Sequence, residues 1–399
     1  MRILLIADWQ PGRGGSEAYV AWLRDGLTDS GDEVRLLTSS AGTAGDGTAD
    51  HVAYGTSRRA AQAVLQVVNP FAVARVRTVL GEFRPDVAFV SLFMYHLSPA
   101  ILHALGDVPV VLGIVDYKVI CPVARKLLPD GSLCDVRAGW VCHRKGCVGL
   151  ASWVRDRARY SLVRTGLERM DRIVACSRWI QGELARDGIP SEWVTLPIPA
   201  PSPGFRRRPD AEPLFLYLGR LVHEKGVLGL LRAFARVRSE IPAARLRLVG
   251  DGPLETVVEG LTHDLGLGDA VDRVGWLDPP AVEQELERAW VLVAPSLYAE
   301  PLGLVALEAI VRGVPVIASE KGGFGETVEE GIGGLLFPNG DEAALAARMV
   351  EVARRRAFPN HVIPAEAVER TAERHAIKRH VERMRGIFAE VASERVRRA

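Results

Sequence analysis

Short apolar runs recur along the whole chain. Each ends in glycine, proline or a small polar residue and is followed by a stretch with apolar positions three and four apart. Residues 2–7, 34–38, 87–91, 108–115, 173–176 and 194–197 read as buried strands in the first half. Residues 214–218, 245–249, 271–274, 291–294, 314–318 and 333–337 do so in the second. Helical spacing occupies the segment from Ser16, where that serine is placed to cap, and residues 57–83 with an interruption at Pro70. It continues through 99–105, 152–170, 178–187 behind Ser177, 227–240, 283–289 and the run ending near Gly313. The tail, 341–399, is helical with a break at 359–364. Strands alternating with helices predict parallel sheets joined by right-handed crossovers, an α/β fold.

A length of 399 residues suggests two such domains. The boundary is marked by residues 197–213, where six prolines and Arg206–Arg207–Arg208 read as a linker. The expected division is an N-terminal domain over 1–200, a linker over 201–213, a C-terminal domain over 214–375 and a last helix over 376–399. Hydrophobic content of 48% and charged content of 25% are ordinary for a globular chain. A net charge of +1 gives no general affinity for nucleic acid, so a charged partner needs a local site. No apolar run is long enough to span a membrane, and the opening MRILLIAD is too short for a signal peptide. The expected location is cytoplasmic.

The chemistry concentrates in SLYAEPLGLVALEAIVRGVP, residues 296–315. A strand runs into a loop holding Glu300, Pro301, Leu302 and Gly303, and then into a helix holding Glu308. The seven residues between the two glutamates separate them by roughly two helical turns. The amides of Gly303, Leu304 and Val305 lie between them, at the positive end of the helix dipole, where an anion such as a diphosphate is favoured. Two acceptors of hydroxyl protons flanking an anion cradle suit a nucleotide-sugar. Arg220 and Lys225 follow the strand at 214–218 and could neutralise the diphosphate. Gly275, Trp276 and Leu277 follow another strand. Ligands in such sheets bind beyond the carboxyl ends of the strands, and all these residues fall there, facing a cleft between the two domains. The N-terminal loop with Pro11, Gly12, Gly14 and Gly15 lets backbone approach a ligand, but it lacks the dinucleotide fingerprint.

Two further features stand apart. Cys121, Cys134, Cys142 and Cys147 fall within the loop 116–149 with spacing C-x12-C-x7-C-x4-C. A structural zinc site is one reading, with His143 able to replace a ligand; thiols or disulfides are the others. Cys176 stands alone in an apolar segment and reads as an inert core thiol. The helix at 152–170 carries five exposed-pattern arginines, which fits either a solvated face or peripheral contact with an anionic membrane, at its inner face.

FLYLGRLVHEKGV, LRLVGDGPL, VDRVGWLD and PSLYAEPLGLVALEAIVRGVPVIASEKGG together resemble the retaining glycosyltransferases of family 4, which have the GT-B fold. The resemblance covers nearly the whole chain and is densest over 215–338. It implies two Rossmann-like doubly wound domains facing a central cleft, with the C-terminal helix crossing back to the first. It implies that Glu308 binds ribose hydroxyls, that Arg220 and Lys225 hold the diphosphate, and that Glu300 contacts hydroxyls of the transferred sugar. Leu302 and the amides of Gly303 to Val305 would lie near the phosphates. Gly275, backbone at Trp276 and Leu277 would meet the base, and Gly14 and Gly15 would close over the diphosphate. The base is uridine, guanosine or thymidine, as in UDP or GDP sugars. The N-terminal domain would hold the acceptor, a polysaccharide, lipid-linked glycan or natural product.

No Asp-x-Asp triplet occurs, so Arg220, Lys225 and the helix terminus would replace a metal at the leaving group, with no cofactor for catalysis. The family implies transfer on the same face, with the departing diphosphate taking the acceptor's proton. One position departs from the family. Val115-Asp116 stands where His-Asp is common, so either the sugar lacks a polar group there or His96 substitutes. Asp116 remains a catalytic candidate, and a loop carboxylate capping its own turn is the ordinary alternative. The competing functions are a nucleotide-sugar epimerase of the same fold and a non-catalytic nucleotide-sugar-binding scaffold.

Overall fold

The structure, a computed structural model, describes residues 1–9, 14–42 and 49–398. The chain forms two compact units. The first comprises Met1–Pro129, Asp135–Pro197 and Ile377–Ala399, and the second Asp130–Cys134 and Ile198–Ala376.

In the first unit the strands are β1 (Arg2–Ala7), β2 (Glu33–Ser39), β3 (His51–Ala53), β4 (Val87–Ser91), β5 (Val110–Ile114), β6 (Arg172–Ala175) and β7 (Glu192–Trp193). They form one parallel sheet in the order β3-β2-β1-β4-β5-β6-β7. The helices between them are α1 (Gly15–Asp29), α2 (Arg59–Leu65), α3 (Pro70–Phe83), α4 (Trp140–Arg144), α5 (Leu150–Leu167) and α6 (Arg178–Arg186). Strands β4 and β5 are each paired on both sides and covered by helices, which explains why they are buried at every position.

The second unit repeats the plan. Strands β8 (Leu214–Leu218), β9 (Arg245–Val249), β10 (Val271–Gly275), β11 (Val291–Ala294), β12 (Val316–Ser319) and β13 (Gly334–Phe337) form a parallel sheet ordered β10-β9-β8-β11-β12-β13. Its helices are α7 (Val227–Glu240), α8 (Glu255–Asp264), α9 (Pro279–Arg288), α10 (Leu304–Ile310), α11 (Phe324–Thr327), α12 (Glu342–Ala353) and α13 (Ala365–Arg374). In each sheet the order reverses once, beside β1 in one and beside β8 in the other. Crevices for ligands open at such reversals.

The last helix, α14 (Ile377–Arg398), belongs to the first unit. It crosses back as the resemblance implied. Val381, Met384, Ile387, Phe388 and Val391 are buried on it, each contributing about 1.5–3 kcal/mol of burial. Phe388 packs on Phe89 of β4 with ring centroids 5.9 Å apart. The Arg385 guanidinium meets Asp32 at 2.8 Å, and His380 contacts the Tyr19 hydroxyl of α1 at 3.2 Å.

Several details differ from the sequence reading. Helix α1 begins at Gly15, with Gly14 as its N-cap, so Ser16 already lies inside the helix. Gly14 N–H donates to the Glu17 carboxylate at 3.0 Å, closing the first turn. Pro11 and Gly12 lie outside the described residues. The last strand of the first sheet is Glu192–Trp193 rather than 194–197, and α8 is a helix in a stretch to which the sequence reading assigned no element. The proline-rich segment is strapped to the second unit. Arg207 of this segment donates to the carbonyls of Leu286, Glu287, Ala289 and His361, and burial pushes its guanidinium down to about 10.

The four-cysteine zinc site does not form. Among the described residues no group of three or more His, Cys, Asp or Glu side chains could hold a metal, and no disulfide joins the cysteines. Cys134 groups with the second unit, and Cys121, Cys142 and Cys147 with the first. A buried ion pair ties the loop down instead: Lys126 Nζ meets Glu183 of α6 at 3.0 Å. His143 Nδ1 contacts the Val148 carbonyl at 3.1 Å.

No single helix among the described residues is long and apolar enough to cross a membrane. The bent pair α2–α3 passes by composition alone, but Ala72, Val76, Val79 and Phe83 of α3 are core residues.

Replacing Phe388 by alanine should destabilise the first unit by about 3–5 kcal/mol, the usual loss for a buried aromatic. Denaturant unfolding followed by fluorescence checks this. An unchanged midpoint would mean that α14 does not complete that core.

Candidate functional site

In the second unit the strand order reverses between β8 and β11, and the loops leaving these two strands carry the polar residues. Beyond β8 the chain passes Arg220 and reaches Lys225, the last residue of a 3-10 turn. Gly226 then starts α7 with φ +72. A Cβ there would lie 1.9 Å from the Pro295 carbonyl oxygen, so only glycine lets this turn lie against the end of β11.

The contact brings Lys225 to Glu300. Its ammonium donates to Glu300 Oε1 at 2.6 Å. Ser296 Oγ donates to the same oxygen at 2.6 Å, and the Tyr298 hydroxyl to Oε2 at 2.7 Å. Glu300 is 5% exposed, so these three donors replace the water it has lost. Its backbone is pinned as well, since Gly323 N–H donates to the Glu300 carbonyl at 2.7 Å. Gly322 bridges Glu300 in parallel, and a Cβ on Gly322 would lie 2.5 Å from the Glu300 nitrogen.

The other expected donor-site residues are arranged around this pair. Arg220 is exposed, and its guanidinium makes no ion pair among the described residues. Leu302 and Gly303 are buried, and the amides of Gly303, Leu304 and Val305 have no backbone acceptor among the described residues. Helix α10 behind them has only seven residues, which limits the dipole it can present. Glu308 is half-buried on α10. Burial pushes its carboxyl up, against the pull of Arg312, whose guanidinium is held by Glu283 at 2.5 Å. Gly275 ends β10 with φ +75, Trp276 beyond it is exposed and Leu277 is half-buried. Strand β10 is two places from β8, about 10 Å at ordinary strand spacing.

In the first unit the corresponding reversal lies between β1 and β4. Its centre is a residue that sequence reasoning passed over. Asp8 directly follows β1, is fully buried, and accepts from the backbone N–H groups of Tyr95 at 2.5 Å, His96 at 2.8 Å and Leu97 at 2.7 Å. Desolvation outweighs these bonds and pushes its carboxyl up to about 7. The visible signal was an acid closing an apolar strand.

Asp116 follows β5 beyond the buried Val115. The Tyr95 hydroxyl donates to one of its oxygens at 2.8 Å and Lys118 N–H to the other at 2.9 Å. Burial raises its carboxyl and lowers the nearby Lys118 ammonium to about 8. One Asp116 oxygen thus caps its own turn through Lys118, and the other links the loop after β5 to the loop after β4 through Tyr95. His96 is 4% exposed and lies edge-on to Trp9 with centroids 4.6 Å apart, with the Thr56 backbone as the nearest polar partner of its ring. Gly14 and Gly15 sit at the start of α1. A cavity of about 1020 Å³ lies elsewhere in this unit, lined by Asp171, Arg172 and Gly188–Ser191 where β6 and β7 begin. It lies at the β6–β7 edge of the sheet, and its lining includes neither Asp8 nor Asp116. Two of its arginines, Arg137 and Arg172, are already paired with acids, while Arg164 forms no ion pair among the described residues.

Comparison with known proteins matches this geometry. Residues 14–199 fit the glycosyl transferase 4-like domain model, and residues 203–367 fit the model of glycosyl transferases group 1. Sucrose-phosphate synthase from Thermosynechococcus elongatus superposes with a TM-score of 0.76 at 23% identity, over 98% of this chain and 99% of that one. The chain has the GT-B glycosyltransferase fold. HepE of Anabaena, solved in complex with UDP, shares the GT-B fold at a TM-score of 0.70 and 18% identity, over 98% of this chain and all of its own. Glycogen synthase of Mycobacterium tuberculosis is 39% identical over 147 residues, 37% of this chain. That alignment spans 35% of the relative's length, about a third, as is typical of the curated relatives it matches.

The raised carboxyl of Asp8 fixes a sign. A folded-state value near 7, above the usual carboxylate value of about 4, contributes stability that is full below pH 4 and is lost as pH rises towards 7. The melting-temperature advantage of the wild type over Asp8→Asn should therefore shrink between pH 4 and pH 7. A constant difference over that range would show that the carboxyl titrates normally.

Proposed function

We propose that the protein is a retaining, metal-independent glycosyltransferase that moves a sugar from a nucleotide diphosphate sugar to an acceptor hydroxyl. The observation that carries this reading is the buried Glu300 carboxylate held by Lys225, Ser296 and Tyr298 at the strand-order reversal of the group 1 half. A carboxylate held by side chains can exchange one of them for a sugar hydroxyl. A lysine released by that exchange, together with Arg220, which makes no ion pair among the described residues, supplies positive charge to a diphosphate.

In the proposed step the acceptor oxygen bonds to the anomeric carbon on the face the diphosphate leaves. The bond from that carbon to the phosphate oxygen breaks, and the acceptor's proton passes to the departing diphosphate. Glu300 orients sugar hydroxyls, Glu308 accepts from the ribose, and backbone at Gly275 to Leu277 meets the base. HepE, whose fold this chain shares, has been solved with UDP-glucose, which supports a uridine nucleotide as the first donor to test. The N-terminal half is proposed to hold the acceptor, with Val115 removing one polar contact to the transferred sugar.

UDP should raise the melting temperature of the wild type, since a ligand binding only the folded state stabilises it. Lys225→Ala should weaken UDP binding by about 10–100-fold, the loss of a charge-assisted bond. Glu300→Ala should abolish transfer while UDP binding stays within a few-fold. A fully active Glu300→Ala would remove Glu300 from the chemistry and favour the scaffold reading of this site, and an epimerised UDP-sugar formed without acceptor and without free UDP would favour epimerase chemistry.

A further inference from the structure

Three large apolar side chains left in solvent gather on one surface of the first unit: Trp140 on α4 at 48% exposure, and Leu150 and Val154 on α5 at 54% and 57%. The Trp140 ring lies edge-on to Trp153 with centroids 4.8 Å apart, which joins α4 to α5. At 100° per residue, Leu150, Val154, Arg157 and Arg164 share one side of α5. The buried Asp156, Arg159 and Val163 occupy the other.

The charge on α4 and α5 is mostly of one sign, with Asp187 of the neighbouring loop near Arg164. Residues 140–167 contain six Arg and Lys and one acid, Asp156. Asp156 is buried and paired with Arg155 and Arg159. Arg144, Lys145, Arg157 and Arg164 are exposed and form no ion pair among the described residues. The Arg157 guanidinium lies over the Trp153 ring, at 6.0 Å.

We infer that this face docks on the surface of an anionic lipid bilayer, with Trp140, Leu150 and Val154 entering the headgroup boundary and the surrounding cations meeting lipid phosphates. Tryptophan favours that boundary, and long basic side chains lie along it with their charge in the headgroups. The apolar patch is too small to span and is suited to lying on the surface. A second copy would bring cations against cations across a two-fold axis, which disfavours self-association through this face. A nucleic acid would leave the three apolar side chains without a partner. The inference does not rest on the transfer reading. It turns the arginine-rich helix of the sequence into a bounded face.

The test is sedimentation of the full chain with vesicles of phosphatidylcholine alone or with about 30% phosphatidylglycerol, at low and high salt. The wild type should sediment with the anionic vesicles at low salt and be released at high salt. Trp140→Ala/Val154→Ser should weaken the partition about tenfold. Arg144→Gln/Lys145→Gln/Arg157→Gln should weaken it about 100-fold, at about 1 kcal/mol per cation near the surface. The UDP-induced melting shift, measured on each variant, reports that the fold and the donor site are intact. Wild-type protein left in the supernatant, variants that bind as the wild type does, or equal binding to neutral vesicles would overturn the inference. A dimer in sedimentation velocity that the Trp140 variant dissolves would also overturn it, in favour of a second copy. None of these outcomes touches the donor-binding result.

Discussion

A carboxylate can be removed from water only if donors take water's place, and this governs the second unit around Glu300. At 5% exposure the group would be intolerable alone. Lys225, Ser296 and Tyr298 make it tolerable, and each comes from a loop leaving β8 or β11. The tight approach of the Gly226 turn to Pro295 and of Gly322 to the Glu300 backbone follows from the same need. The ammonium must reach the carboxylate, and the carboxylate must not drift. Local glycine geometry, strand order and ion pairing are therefore one arrangement rather than three.

The two units place an acid at each reversal of strand order but satisfy it differently. Among the described residues Asp8 accepts from backbone N–H groups alone, which cannot leave without unfolding the loop they belong to. Glu300 accepts from side chains, which can rotate away. The first arrangement builds a scaffold, joining the ends of β1 and β4. The second leaves a site in which a ligand can compete. This difference, more than residue type, separates a structural carboxylate from one available to chemistry.

Much of this was legible in the chain. The strands Val87–Ser91, Leu214–Leu218 and Arg245–Val249 lie where the sequence places them, because each is a short apolar run cut off by breakers. Glu300, Lys225 and Arg220 stood out because glycines frame them at strand ends. What stayed hidden depends on contacts distant in sequence. Ser296 and Tyr298 are ordinary residues until the loop folds them onto Glu300. Asp8 is one acid among many until three amides from beyond β4 converge on it. Helix α8 has a mixed pattern after a Gly-Asp-Gly-Pro turn, so its period was masked. The cysteine spacing suggested a metal, but Lys126 and Glu183, 57 positions apart, tie that loop by an ion pair that spacing cannot reveal.

The placement of α14 has a consequence for how the molecule is made. Phe388 completes a core whose other half, Phe89, leaves the ribosome some three hundred residues earlier. Until α14 emerges, the amino-terminal sheet lacks a wall and shows apolar surface to the cell, while the second unit already has every strand it needs. Nascent chains usually mature from the front. Here the unit made later can finish first, while the sheet made earlier waits for its closing helix.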